Sequence, residues 1–181
     1  MKIVVTHQKG GTAKSTTALA LAVALIEAGN EIELVELDPQ MSLTAWANAI
    51  GIASTPGARY TIIDTPPSVF DKKTIEALST ADRVIIPSGT SVSDLQVTAS
   101  TLPLIKEQTK GSMKILWSRI QANTQAAKSI AEITDKIGYS AYKSTIGLRQ
   151  CYQQDFLLKG WSGLNPQAKD EVSRFVLEAI S

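Results

Sequence analysis

The 181-residue sequence predicts an α/β fold: a mostly parallel central sheet with helices on both faces. Three observations carry this expectation. Short apolar runs rich in Val and Ile alternate along the chain with longer stretches of helical periodicity. The first run, Ile3-Val4-Val5, leads through Lys9-Gly10-Gly11-Thr12-Ala13-Lys14-Ser15-Thr16 into the helix former Ala18-Leu19-Ala20-Leu21-Ala22, and strand, Gly-rich loop, Lys-Ser, helix is the context of a phosphate-binding loop. Two later apolar runs deliver the acids Asp38 and Asp64 at strand ends, where such a sheet places its ligand.

The elements follow in order. Ile3–Thr6 is a β-branched strand, and Ser15–Ala28 is the helix after the loop, with Gly29 where a C-terminal cap belongs. Ile32–Glu36 is the second strand, stopped at Pro39. Ser42–Ile50 carries Leu43, Trp46, Ala47 and Ile50 on one helical face. Tyr60–Ile63 is a strand that Pro66-Pro67 cannot let continue, and Lys72–Ser79 is a helix. Val84–Pro87 precedes a helix over Asp94–Gln108, which Pro103 should kink or split. Lys114–Trp117 is a strand, and Thr124–Ile137 a helix closed by Gly138. Tyr142–Ile146 reads as a sixth strand and Arg149–Lys159 as a helix. Asn165 then Pro166 cap and open the last helix, Pro166–Ile180. No repeat or linker divides the chain, so one domain over residues 1–181 is expected.

Composition sets outer bounds. Hydrophobic residues make up 44% and charged residues 19%, ordinary for a globular protein. The one cysteine, Cys151, forms no internal disulfide and excludes a multi-cysteine metal site. The apolar stretch Ala18–Ile26 is too short to span a bilayer, and Met1-Lys2 leads straight into the first strand. A cytoplasmic protein without membrane association is the expectation. Net charge is +1, with a balance of −3 over residues 1–100 and +4 over residues 101–181. The basic half suits DNA phosphates or, equally, ordinary solvated helix faces.

The candidate site residues have roles set by chemistry. Loop N–H groups and the helix N-terminus attract an anion. Lys14 supplies a point charge to β and γ phosphates, and the Ser15 hydroxyl suits Mg²⁺, which prefers oxygen ligands at about 2.1 Å. Asp64, at the end of an apolar strand, is placed to hold that metal directly or through water. Asp38 is placed to orient water or complete the metal shell, although alone it reads equally as a turn acid ahead of a helix. His7, just before the loop, reads as structural.

The loop departs from Gly-x-x-x-x-Gly-Lys-Ser/Thr: Gln8 and Ala13 stand at the glycine positions, and Lys9 adds a second lysine. It resembles the deviant Walker A box of the ParA/MinD family of ATPases, Lys-Gly-Gly-x-Gly-Lys-Ser/Thr, with Ala13 the one mismatch. Glu36-Leu37-Asp38-Pro39-Gln40 resembles that family's Asp-x-Asp-Pro-Gln, with Glu36 for the first Asp. Ile62-Ile63-Asp64-Thr65-Pro66-Pro67 resembles its Ile-Ile-Asp-x-Pro-Pro. The likeness continues through Ala81–Ser88 and Ser93-Asp94-Leu95. Ser118-Arg119 stands where members have Asn-Arg near the nucleotide base, on which Arg119 would stack. Ile146–Tyr152 resembles the Ile-x-x-Arg-x-x-Tyr/Phe pattern of small plasmid-partition ATPases.

The resemblance implies a P-loop NTPase fold and slow, partner-stimulated hydrolysis of ATP with Mg²⁺. Lys9, Lys14 and Asp38 would be catalytic, Lys9 reaching across a dimer to its partner's nucleotide. Gly10, Gly11, Thr12, Ala13, Ser15, Thr16 and Arg119 would join the two lysines in holding nucleotide. Ser15, Asp38 and Asp64 would serve the metal, and Lys143, Arg149 and Lys159 would meet DNA backbone. The implied partners are a second copy of the chain on ATP, non-specific DNA of the nucleoid, and a ParB-like or ribbon-helix-helix centromere-binding protein. The cargo would be plasmid or chromosomal DNA. Alternatives are a protein cargo, a nucleotide-gated module that hydrolyses little, and a small-molecule ligase or kinase, which Lys9 argues against. Two departures stand out: residues 51–59 are a short connection for this family, and Ala13 puts a Cβ where the loop bares its backbone.

Overall fold

A computed structural model describes residues 1–181 and contains five strands: β1 (Lys2–Val5), β2 (Ile32–Glu36), β3 (Tyr60–Asp64), β4 (Arg83–Ser88) and β5 (Ser112–Trp117). They form one parallel sheet in the order β2-β3-β1-β4-β5. The helices between them are α1 (Lys14–Glu27), α2 (Ser42–Ala49), α3 (Lys72–Ser79) and α4 (Val92–Gln108). After β5 come α5 (Gln125–Lys128), α6 (Ile130–Ile137), α7 (Asp155–Lys159) and α8 (Pro166–Ile180).

The period of two along each strand divides the core. Ile3, Val5, Ile62, Ile85 and Leu116 point to one face, under Leu19 and Leu21 of α1, Phe156 of α7 and Phe175 of α8. Val4, Ile63, Val84, Ile86 and Trp117 point to the other, under Leu78 of α3 and Leu102 and Ile105 of α4. Because both faces are covered, the strands read as continuous apolar runs. The register pairs Val5 with Asp64 and Asp64 with Glu36, so β1, β3 and β2 end side by side.

The five strands, the capping glycines and the Asn165 cap match expectation: Gly138 closes α6 at φ +73°, Gly29 follows the α1 cap at φ +78°, and Asn165 accepts from the Ala168 N–H at 2.9 Å. Four elements differ. Tyr142–Ile146 is no sixth strand. It touches β5 at its two ends, where the Tyr142 and Ile146 N–H groups donate to the Ile115 and Trp117 carbonyls at 2.8 and 2.9 Å beside the isolated bridges Ile115–Ala141 and Ile120–Gly147. In between, the Glu178 carboxylate of α8 accepts the N–H groups of Lys143 and Ser144, each at 2.9 Å, and draws the segment off the sheet edge. The Arg149–Lys159 helix is broken into a short 3₁₀ turn and α7: Arg149 is extended and bonded to Glu171 of α8, and Gln154 leaves helical geometry at φ −134° and ψ −68°. Thr124–Ile137 is interrupted at Ser129, whose N–H is shared between the carbonyls of Gln125 and Ala126. Pro103 does not split α4, which runs unbroken from Val92 to Gln108. The proline lies on the exposed face, where water satisfies the carbonyl it leaves free, while Leu102 and Ile105 stay anchored in the core.

Candidate functional site

The loop after β1 turns through two left-handed residues, Gly11 at φ +73° and Ala13 at φ +72°. Ala13 opens α1 without a side-chain cap, so N–H groups of the first turn face outward unpaired. The Lys14 ammonium lies over the loop and donates to the Lys9 carbonyl at 3.4 Å. Burial lowers the Lys14 pKa, and the charges of Asp64 and Asp38 oppose that shift, so both acids sit near this ammonium.

Asp64 is fully buried, and neither of its carboxylate oxygens has a hydrogen-bond partner. Burial pushes its pKa up to about 6, against the Ser15 side chain and the Lys14 charge. An orphaned buried carboxylate beside a hydroxyl, at an uncapped helix N-terminus, fits a hard divalent cation in contact with phosphate. Asp38 is half-buried, and its carboxylate closes a turn by accepting the Gln40 N–H at 3.0 Å. Glu36 has a structural task that motif reading passes over. It accepts the N–H groups of Leu43 at 3.0 Å and Thr44 at 2.8 Å, capping α2, whose own cap residue Met41 offers no side-chain bond.

Lys9 stands at the loop entrance. Its ammonium meets Asp94 Oδ1 at 2.6 Å and Ser93 Oγ at 2.9 Å, both from the α4 end of its own subunit. Asp94 is buried and also meets Arg119 at 3.4 Å and the Ser91 hydroxyl at 2.7 Å. Burial alone would raise the Asp94 pKa, but the hydrogen bonds from Lys9 and Ser91, with the Lys9 and Arg119 charges, hold it below the ordinary range. Asp94 is a site residue that sequence reasoning missed. Its only signal was the Ser93-Asp94-Leu95 likeness, which says nothing of its contact. Arg119, itself left-handed at φ +56°, lines a cavity of about 110 Å³ beside the start of α1, with Ala13, Thr16, Ile146, Tyr152 and Phe175 among its other walls.

The three basic residues expected to meet DNA differ in their partners. Arg149 lines that cavity and is bonded to Glu171. Lys159 pairs with Asp155 at 2.8 Å and lines a separate hollow near Ile50 and Trp161. Lys143 alone is exposed and without a carboxylate at its ammonium.

A parallel sheet with a lysine-bearing loop after its central strand and an acid at the end of the neighbouring strand defines a P-loop nucleotide-binding protein. Residues 3–150 match the family described as the CobQ/CobB/MinD/ParA nucleotide binding domain, and the chain belongs to that family. The chain is 24% identical over 202 residues to the maintenance of carboxysome distribution protein A of Gloeobacter kilaueensis, covering 98% of this chain and 93% of that one. It is 30% identical over 125 residues to protein ParA of Rhizobium radiobacter, covering 59% and 56%. Among solved structures, a putative plasmid partition protein of Borrelia burgdorferi bound to AMPPNP superimposes with TM-score 0.77 at 18% identity, covering 99% of this chain and 97% of that one. Cobyrinic acid a,c-diamide synthase of Mycobacterium smegmatis with ADP and magnesium gives 0.74 at 17% identity, covering 97% and 92%.

Proposed function

We propose that the chain, acting as one domain over residues 1–181, is an ATP-hydrolysing partition switch that dimerises on ATP and segregates plasmid or chromosomal DNA. The observation that carries this reading is the unpartnered, buried Asp64 carboxylate beside Ser15 and Lys14 at the open end of α1. ATP with Mg²⁺ supplies the phosphates and the cation that such a site lacks among its own groups. The N–H groups of Gly10 through Thr16 cradle phosphate, with Lys14 as point charge, and Ser15 and Asp64 are the metal oxygens. Asp38 leaves its turn to orient the attacking water. Arg119 and the cavity beside α1 receive the base. Lys9 exchanges Asp94 for the nucleotide of a second copy. The dimer binds nucleoid DNA without sequence preference, and a ParB-like or ribbon-helix-helix protein on the cargo stimulates turnover.

A second reading, a protein cargo, is favoured by the near full-length similarity to a carboxysome-distribution protein. It keeps the same site and changes only the partner.

The test is multiple-turnover phosphate release with ATP and Mg²⁺, with and without DNA, beside sedimentation of the protein. Lys9→Ala is expected to bind nucleotide as a monomer while losing ATP-dependent dimerisation and most turnover. Asp38→Ala is expected to accumulate an ATP-bound dimer. Absence of ATP binding at millimolar concentration in the wild type would sink the reading. Ordinary dimerisation in Lys9→Ala would remove the cross-subunit role.

A further inference from the structure

His7 is the chain's one histidine, fully buried between the end of β1 and α4. Its Nδ1 accepts the Lys9 N–H at 2.9 Å, and its Nε2 lies 2.9 Å from the Thr98 hydroxyl of α4. A backbone N–H can only donate, so Nδ1 is unprotonated. Burial and the neighbouring positive charges, Lys14 first, lower the His7 pKa to about 4, against the pull of Asp94, so the ring is neutral and Nε2 carries the proton. Nε2 donates to Thr98, and the Thr98 hydroxyl donates to the Asp94 carbonyl at 2.7 Å. Ser88 of β4, 2.7 Å from Thr98, fills the remaining acceptor site on that oxygen. The Asp94 carboxylate then holds the Lys9 ammonium at 2.6 Å. The circuit starts at the backbone of Lys9 and closes on its side chain.

We propose that His7 is a positioning residue for Lys9, tying the backbone of that lysine to the turn of α4 that holds its ammonium. Both ring nitrogens are engaged inside the protein, which leaves none for acid–base work on a nucleotide. The imidazole instead sets the direction in which Lys9 leaves the loop. A ring with one acceptor and one donor on opposite sides bridges Lys9 and Thr98 directly. The proposal rests on the reading of Lys9 as the residue that crosses to a second copy.

The test compares wild type with His7→Phe, His7→Asn and Thr98→Val. The readouts are monomer affinity for a fluorescent ATP analogue, ATP-dependent dimerisation, and kcat and KM for phosphate release. His7→Phe keeps the ring's bulk and removes both bonds. It is expected to bind the analogue within about threefold of wild type while kcat and dimerisation fall about tenfold or more, as a displaced reacting group predicts. His7→Asn offers its side-chain oxygen to the Lys9 N–H but is too short to reach Thr98 as well, so it keeps one of the two bonds and is expected to recover only part of the kcat lost in His7→Phe. Thr98→Val, which cuts the ring from α4, is expected to fall between. The idea is overturned by wild-type kcat in His7→Phe, by wild-type kcat in Thr98→Val or His7→Asn, each of which lacks the bond between residue 7 and α4, or by kcat falling only in step with analogue affinity. If His7→Phe does not fold, the Thr98→Val and His7→Asn pair decides on the same terms. Independently of ATP chemistry, ¹⁵N spectra of the single imidazole at neutral pH are expected to show the Nε2–H tautomer, and an Nδ1–H ring would overturn the circuit. A wild type without hydrolysis or dimerisation defeats the functional reading instead, and the tautomer measurement still decides on His7.

Discussion

At Ala13 the backbone takes φ +72° and ψ +29°, where the Cβ of an L-residue crowds the following carbonyl. The loop tolerates this because the Ala13 carbonyl accepts the first bond of α1, from the Thr17 N–H at 2.8 Å. Glycine has no such penalty, so Ala13→Gly is expected to stabilise the nucleotide-free protein by about 1 kcal/mol. For a chain of this size that is roughly 2–4 °C in melting temperature, readable by calorimetry. No rise would mean that the loop carries no strain at this residue. The methyl also forms part of the wall of the cavity beside α1, so the same variant enlarges that space. Local motifs made Lys14, Ser15 and Asp64 legible, since strand, loop and helix place them without help from elsewhere. The clasp of Asp94 on Lys9 was not legible, because the two are 85 residues apart and meet only through the β4–α4 turn.

One element departs from its propensity for a reason that pH can expose. Tyr142–Ile146 has the composition of a strand, yet Glu178 of α8 takes the Lys143 and Ser144 N–H groups, the second of which would follow Tyr142 in a ladder beside β5. Burial would raise the Glu178 pKa, but bonds from the Ser144 side chain and from the two backbone groups hold it below its ordinary 4.5. A lowered carboxyl contributes stability that is present above that ordinary value and lost as pH falls through the folded-state value. Glu178→Ala is therefore expected to cost about 2 kcal/mol at neutral pH, with the deficit shrinking below about pH 4. Urea unfolding at the two pH values measures this, and a deficit unchanged in acid would show that the charge is not what holds the segment. The same helix holds Arg149 extended through Glu171, so the helix expected from Arg149 does not begin there. Strand and helix periodicities were readable wherever a segment's partner was the sheet itself. They misled where α8 competed for backbone or side chain from a distance.

For the whole molecule, the basic C-terminal half has a balance of +4, and several of its cations are already engaged. Arg119, Lys136, Arg149, Lys159 and Arg174 each have a carboxylate partner. Each phosphate that a protein neutralises contributes about −0.9 to the slope of log affinity against log salt. If Lys143, Arg149 and Lys159 all met phosphate, one subunit would show a slope near −3 and an ATP-bound dimer roughly double that. With Arg149 and Lys159 paired, these three residues contribute about −1 for a subunit and about −2 for a dimer. Fluorescence anisotropy with random-sequence duplexes, between low and physiological salt, with and without ATP, separates these cases. Lys143→Ala is expected to remove about one unit of slope per subunit, while Arg149→Ala leaves the slope unchanged because Glu171 already holds that charge. A slope near −6 for the dimer would mean that further cations meet phosphate, either Arg149 and Lys159 released from Glu171 and Asp155 or exposed lysines such as Lys106, Lys110 and Lys128. A binding constant indifferent to salt would rule out phosphate contacts by this half.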